Sequence, residues 1–126
     1  IVNIVRDKMS GTNSQRALDI FHDSVAGYVA KYMVAMGGAD VITFTAGVGE
    51  KGQDSRQEIC NRLKYFGIKL DEKHNQEIKG DEDKVSSEDS SISAPDSKVK
   101  VYLVPTNEEL MIARETKKCI EEGERK

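Results

Sequence analysis

Two short apolar runs constrain this chain more than anything else in it: Val41-Ile42-Thr43-Phe44-Thr45 and Val99-Lys100-Val101-Tyr102-Leu103-Val104. The first is β-branched and aromatic without polar alternation, the pattern of a strand covered on both faces in a parallel sheet. The second reads as another buried strand. Parallel neighbours need a crossover between them, so the intervening segments must carry helices, and the chain must be of the α/β class with right-handed βαβ connections.

Helical periodicity is found where that requirement places it. Leu18, Phe21, Val25, Tyr28, Tyr32 and Met36 recur three and four residues apart, one face of a long helix capped at Asn13 or Ser14 and ended by Gly37-Gly38. A helix from Gln53 or Asp54 to Tyr65 buries Ile59, Cys60, Leu63 and then Phe66, and stops at Gly67. Ile68-Lys69-Leu70 is a short extended piece, Asp71 caps a weak helix to Ile78, and Pro95-Asp96 makes a turn. The last helix runs from about Glu108 to Ile120, with a polar tail that frays, and residues 1–9 read as a further short helix.

A length of 126 residues allows one domain with one modest core. The net charge of −3 argues against a nucleic-acid partner, because a phosphate-tracking surface needs clustered Lys and Arg. No apolar run reaches the roughly 18 residues of a membrane span, and there is no signal-peptide pattern. Cys60 and Cys119 lie in helix-like sequence and are expected as buried free thiols, which fits a reducing cytoplasm. Residues 79–91 hold Asp81, Glu82, Asp83, Glu88 and Asp89 beside four serines, and are expected to form an acidic mobile loop. The chain opens on Ile1 without an initiator Met, as a cut through a longer protein would.

In parallel sheets ligands bind outside the carboxyl ends of the strands. Two polar clusters follow the two strands directly, so both should open onto one edge. The first is Gly47-Val48-Gly49-Glu50-Lys51-Gly52, a glycine-rich turn whose backbone can come close to a ligand. It matches G-x-G-x-x-G, and Asp71 is spaced to mimic the ribose-binding acid of a dinucleotide site. Against that reading, Glu50 would put a carboxylate in the pyrophosphate cradle, and the next helix starts after the third glycine. There is no Walker A sequence. The second cluster is Thr106-Asn107-Glu108-Glu109. Thr106 and Glu109 have capping-box spacing, which accounts for Glu109 and leaves Glu108 free to serve a Mg²⁺ site, where one or two carboxylates suffice. His22 and His74 have no partners at catalytic or metal-ligand spacing and read as structural or solvated.

Several stretches together resemble the acetate kinase family. They are Ala17-Leu18-Asp19-Ile20-Phe21, Ala35-Met36-Gly37-Gly38-Ala39-Asp40, Phe44-Thr45-Ala46-Gly47-Val48-Gly49-Glu50 and Phe66-Gly67-Ile68-Lys69-Leu70-Asp71. Ser93-Ala94-Pro95-Asp96-Ser97-Lys98-Val99, Pro105-Thr106-Asn107-Glu108-Glu109-Leu110 and Ile112-Ala113-Arg114 continue them in family order.

The resemblance implies an actin-like ATPase (ribonuclease H-like) fold, with residues 1–126 as most of its C-terminal lobe, a parallel or mixed sheet flanked by helices. It implies ATP-dependent phosphorylation of acetate to acetyl phosphate, reversible, with Mg²⁺, in a cytoplasmic homodimer joined through this lobe. Gly47, Val48, Gly49, Glu50 and Lys51 stand where the family meets the nucleotide, and Glu108 where it holds Mg²⁺. Two positions depart from the family pattern: Lys51 replaces a common Asn, and Ser55 replaces an apolar residue near the adenine. The family's acyl pocket and its catalytic Arg and His lie upstream, so none is expected here and the piece alone should be inactive. Propionate kinase, a dinucleotide-binding module built on Gly47, Gly49, Gly52 and Asp71, and an assembly module using the face of helix 14–36 are the alternatives.

Overall fold

The computed structural model describes residues 12–78, 90–106 and 108–123. The expected helix over 1–9 and most of the expected acidic loop, residues 79–89, lie outside the described residues.

Helix α1 covers Thr12–Met36, starting ahead of the caps the sequence offered. It ends as the glycine pair predicts. Gly37 and Gly38 take positive φ angles of 76° and 132°; Gly38 N donates to Met33 O (2.8 Å) and Gly37 N to Val34 O (3.2 Å), the paired bonds of a Schellman stop. Strand β1 (Val41–Phe44) follows, then the short helix α2 (Ala46–Lys51) and helix α3 (Gln53–Arg62). A 3₁₀ turn at Lys64–Phe66 closes on Gly67, whose φ of 82° is left-handed. Helix α4 (Glu72–Glu77) is capped as expected, Asp71 Oδ1 accepting from His74 N at 3.0 Å. Strand β2 (Lys100–Leu103) leads to helix α5 (Glu108–Gly123), which runs past Ile120.

The strands pair in parallel with Val41 opposite Lys100 and Phe44 opposite Leu103, as the crossover logic requires. On its other side β2 meets residues 90–93 antiparallel: Ile92 N donates to Val101 O (2.9 Å) and Leu103 N to Ser90 O (2.7 Å). Residues 90 and 91 are therefore pairing partners of β2, not part of a free loop. Only the even-numbered amides of β2 face β1, which leaves the odd ones to a second neighbour, and this mixed arrangement is the one expected. Isolated bridges from Ile68 to Val99 and Leu70 to Ser93 extend it.

The core lies between this sheet and helices α1 and α3. Ile59, Cys60, Leu63, Ile68, Ile92, Val99, Val101 and Leu103 are buried in it, with Ala26 and Met33 from α1. Two expectations need correction here. The stripe Phe21, Tyr28, Tyr32, Met36 is exposed, and α1 instead buries His22, Ala26 and Met33, with Val25, Val29 and Ala30 packed alongside. Size misled the reading: the aromatic residues are the conspicuous ones, yet the small Ala26 is buried while Tyr28 and Tyr32 are exposed. Among the described residues strand β1 is covered on one face; Ile42 and Phe44 turn toward the helices, while Val41 and Thr43 are exposed.

The two thiols also differ. Cys60 is buried, and desolvation pushes its pKa up to about 12, so it stays a neutral thiol despite the Arg56 guanidinium nearby. Cys119 is exposed on α5, not buried as expected, because every described side chain of that helix is exposed.

Candidate functional site at the strand ends

The carboxyl ends of β1 and β2 lie side by side, joined by Val104 N donating to Phe44 O at 2.9 Å. This brings the glycine cluster and the Thr106 cluster to one edge. Between strand and cluster, Ala46 takes a φ of 59°, a conformation costly for a residue with a Cβ, and the backbone turns sharply into α2. The glycine segment is thus a short helix, not the open turn the sequence led us to expect.

Its three glycines do three different things. A Cβ on Gly52 would lie 2.5 Å from Val48 O, so glycine is required where α2 passes into α3. A Cβ on Gly49 would come within 3.3 Å of the Phe44 backbone, a tight fit. At Gly47 a Cβ would meet nothing within 4 Å among the described residues.

Two buried charged residues fix the segment. Arg56, on α3, is fully buried and makes four hydrogen bonds to uncharged acceptors. Its Nη1 donates to Gly49 O (2.7 Å) and Glu50 O (2.8 Å), its Nε to Asn75 Oδ1 (2.8 Å) and its Nη2 to Asn75 O (3.1 Å). Asn75, also fully buried, returns a bond from Nδ2 to Gln53 O at 3.0 Å. Burial lowers the Arg56 pKa from its ordinary value, as desolvation must for a cation. The second is Glu50, whose Oε1 accepts from Thr106 N (2.9 Å) and Thr106 Oγ1 (3.0 Å).

That last contact revises the capping-box expectation. The Thr106 amide is taken by Glu50, 56 residues away, instead of by Glu109. The backbone of Glu108 opens α5, while the Glu108 side chain and Asn107 lie outside the described residues. The Lys51 side chain is exposed. Among the described residues, no group of three or more His, Cys, Asp and Glu converges as a metal cage would. A Mg²⁺ site does not need such a cage, since one or two protein carboxylates completed by waters and substrate phosphates suffice.

Behind the edge, an apolar cavity of about 260 Å³ lies between α1, β1 and α3, lined by residues including Phe21, Val25, Ile42, Phe44, Val48 and Ser55. Ser55 is buried and its Oγ lies 3.1 Å from His22 Nε2. Desolvation and the Arg62 cation push the His22 pKa down, while Glu58, Asp19 and Asp23 oppose them. His22 is therefore a buried structural residue, one of the two readings the sequence offered. Arg62 itself ties α3 to α1 through Asp23 (2.6 Å).

Sequence reasoning missed Arg56 and Asn75. A signal for Arg56 was present: it shares a helical face with Ile59, Cys60 and Leu63, where a solvated arginine would not sit. Asn75 carried none, lying in a polar stretch. The dinucleotide reading fails on geometry, since Gly47–Lys51 is helical and Asp71 is spent as the cap of α4.

The acetokinase family profile matches residues 2–114 of this sequence. The chain belongs to the acetokinase family. Within it, the chain is 54% identical over 108 residues to an acetate kinase from Fervidobacterium nodosum, covering 85% of this chain and 25% of that protein. Its fold matches the acetate kinase of Porphyromonas gingivalis with a TM-score of 0.73 at 34% identity, covering 95% of this chain and 29% of that one. It also matches a propionate kinase from Francisella tularensis, with a TM-score of 0.70 at 30% identity over 90% of this chain and 27% of that one. This acetokinase-family chain thus spans about a quarter of the length of the curated relatives it matches. The expected fold class is the observed one.

Proposed function

We propose that this chain is the nucleotide and Mg²⁺ side of an acetate kinase, forming most of the C-terminal lobe of a longer protein. The reaction is ATP + acetate to ADP + acetyl phosphate, reversibly: an acetate oxygen attacks the γ-phosphorus and the bond from that phosphorus to ADP breaks. Gly47 carries the reading. Glycine inside a helix costs up to about 1 kcal/mol relative to alanine, and among the described residues no neighbouring element lies within 4 Å of a Cβ there. The missing side chain leaves room for a ligand instead, at the sheet edge where parallel α/β folds bind theirs.

In this assignment the backbone of Gly47, Val48, Gly49, Glu50 and Lys51 lies against the nucleotide, with Lys51 contributing through its backbone alone. Glu108, at the start of α5, holds Mg²⁺ with phosphate oxygens and water. Bound there, the cation neutralises charge on the transferring phosphoryl group. The groups that position the carboxylate lie in the rest of the protein. The enzyme is a cytoplasmic homodimer, and the exposed Tyr28, Tyr32 and Met36 of α1 supply an apolar face for the contact. Among the described residues, no helix is long and apolar enough to cross a membrane.

Hydroxamate trapping of acyl phosphate tests this directly. The full-length protein is expected to turn over acetate faster than propionate or butyrate, and the 126-residue chain alone to form no acyl phosphate. Propionate as the preferred substrate would move the assignment to propionate kinase, the reading favoured by the second structural likeness. Robust turnover by the chain alone would contradict the division of labour. In the full-length protein, Glu108→Ala is expected to raise half-saturating Mg²⁺ about tenfold or more, a loss of about 1.4 kcal/mol of binding. Glu109→Ala should change stability by less than about 1 kcal/mol through the helix dipole and leave the metal requirement alone. Equal metal dependence in both variants would sink the Glu108 assignment.

A further inference from the structure

We propose that Glu50 is a positioning residue that couples the nucleotide and metal sides of the strand edge, its carboxylate clasping Thr106. This rests on the reading of the previous section and adds a role for a side chain that the reading places only by its backbone.

Glu50 is 5% exposed, though it sits at the sheet edge where a ligand-binding carboxylate would be open. Its carboxylate turns toward the start of α5 and accepts both the amide and the hydroxyl of Thr106 through the same oxygen, Oε1. Hydrogen bonds to an ionised acceptor are about twice as strong as neutral ones, and a buried carboxylate is costly unless it makes them. Meanwhile the Glu50 carbonyl accepts from Arg56 Nη1 at 2.8 Å. The residue is therefore pinned at both ends, its backbone to α3 and its side chain to the lead-in of α5.

A carboxylate is not needed merely to start a helix. A Ser, Thr, Asp or Asn at the N-cap does that locally. Spending a residue 56 positions away on the Thr106 amide makes the position of α2 and that of the α5 start one mechanical unit. Thr106 lies two residues before Glu108. A nucleotide settling on the 47–51 backbone then shifts or stiffens the segment that carries the metal carboxylate. By linkage the metal acts back on nucleotide affinity by the same factor.

The test is calorimetry of ADP binding to the full-length protein with and without Mg²⁺, which needs no turnover. Wild-type protein is expected to bind ADP more tightly with Mg²⁺. In Glu50→Ala and Thr106→Val that enhancement is expected to fall about fivefold or more, the scale of ordinary site-to-site coupling. Glu50→Gln keeps an oxygen acceptor and Thr106→Ser keeps the hydroxyl, so each should stay within about twofold of wild type. A purely structural role would lower the melting temperature without touching the enhancement. If Glu50→Ala does not fold, Thr106→Val against Thr106→Ser decides the matter. An unchanged Mg²⁺ enhancement in Thr106→Val and Glu50→Ala overturns the clasp alone. A wild-type protein that binds no ADP overturns the proposed function and the clasp with it.

Discussion

Replacing Arg56 by methionine is expected to destabilise the protein by about 4 kcal/mol, the scale of several buried acceptors losing one shared donor. Methionine fills much the same volume, so the loss comes from polar groups and not from a cavity. Four acceptors are stranded together: Gly49 O, Glu50 O, Asn75 Oδ1 and Asn75 O. Each buried acceptor left without a donor costs about 1–3 kcal/mol, and some relaxation brings the sum down. Total stabilities of about 5–15 kcal/mol make such a loss severe. Lysine keeps the charge but cannot present the planar fork that serves Gly49, Glu50 and Asn75 at once, so Arg56→Lys should recover less than half of it. The check is the urea midpoint at constant m-value. A shift worth under about 1 kcal/mol would mean that the network is dispensable.

The glycines of the strand edge give the second large effect, because they should separate fold from function. Gly52→Ala forces a Cβ to within 2.5 Å of Val48 O, the acceptor of the Gly52 amide at 3.0 Å. Overpacking costs about 1–3 kcal/mol and the strained hydrogen bond about 1 more, so a loss of about 3 kcal/mol is expected. Gly47→Ala should do the reverse. With open space at its Cβ and a helical backbone, it is expected to hold or gain up to about 1 kcal/mol in stability. Its ADP affinity in the full-length protein should nevertheless fall at least about tenfold, or 1.4 kcal/mol. Thermal denaturation and calorimetry on the same samples read both quantities. A Gly47→Ala protein with full ADP affinity would remove the observation on which the nucleotide assignment leans.

What could be read in the sequence follows from which forces act locally. The strands, the stops at Gly37-Gly38 and Gly67 and the cap at Asp71 are dictated within a few residues, and the parallel pairing follows from the helices between the strands. The convergence of two clusters on one edge followed from topology alone. The buried face of α1 was not legible, since small residues such as Ala26 carry a weaker apolar signal than Tyr28 and Tyr32, yet Ala26 is the one that is buried. Nor was the pairing of residues 90–93 with β2: Ser90, Ser91 and Ser93 are poor strand formers, and their place is set by the open side of the neighbouring strand. The clasp between Glu50 and Thr106 and the network around Arg56 join distant positions, which no local pattern encodes. Family resemblance put Glu50 beside the nucleotide; only the fold gave its side chain a partner.

Hydrogen exchange on the full-length protein, with and without ADP and Mg²⁺, tests the shared edge most directly. Peptides covering 46–51 and 104–109 should gain protection together when both ligands are present, while exposed peptides of α5 beyond residue 112 stay unchanged. Protection confined to other parts of the protein, with both of these segments exchanging as before, would contradict the assignment of this edge as the nucleotide and metal site.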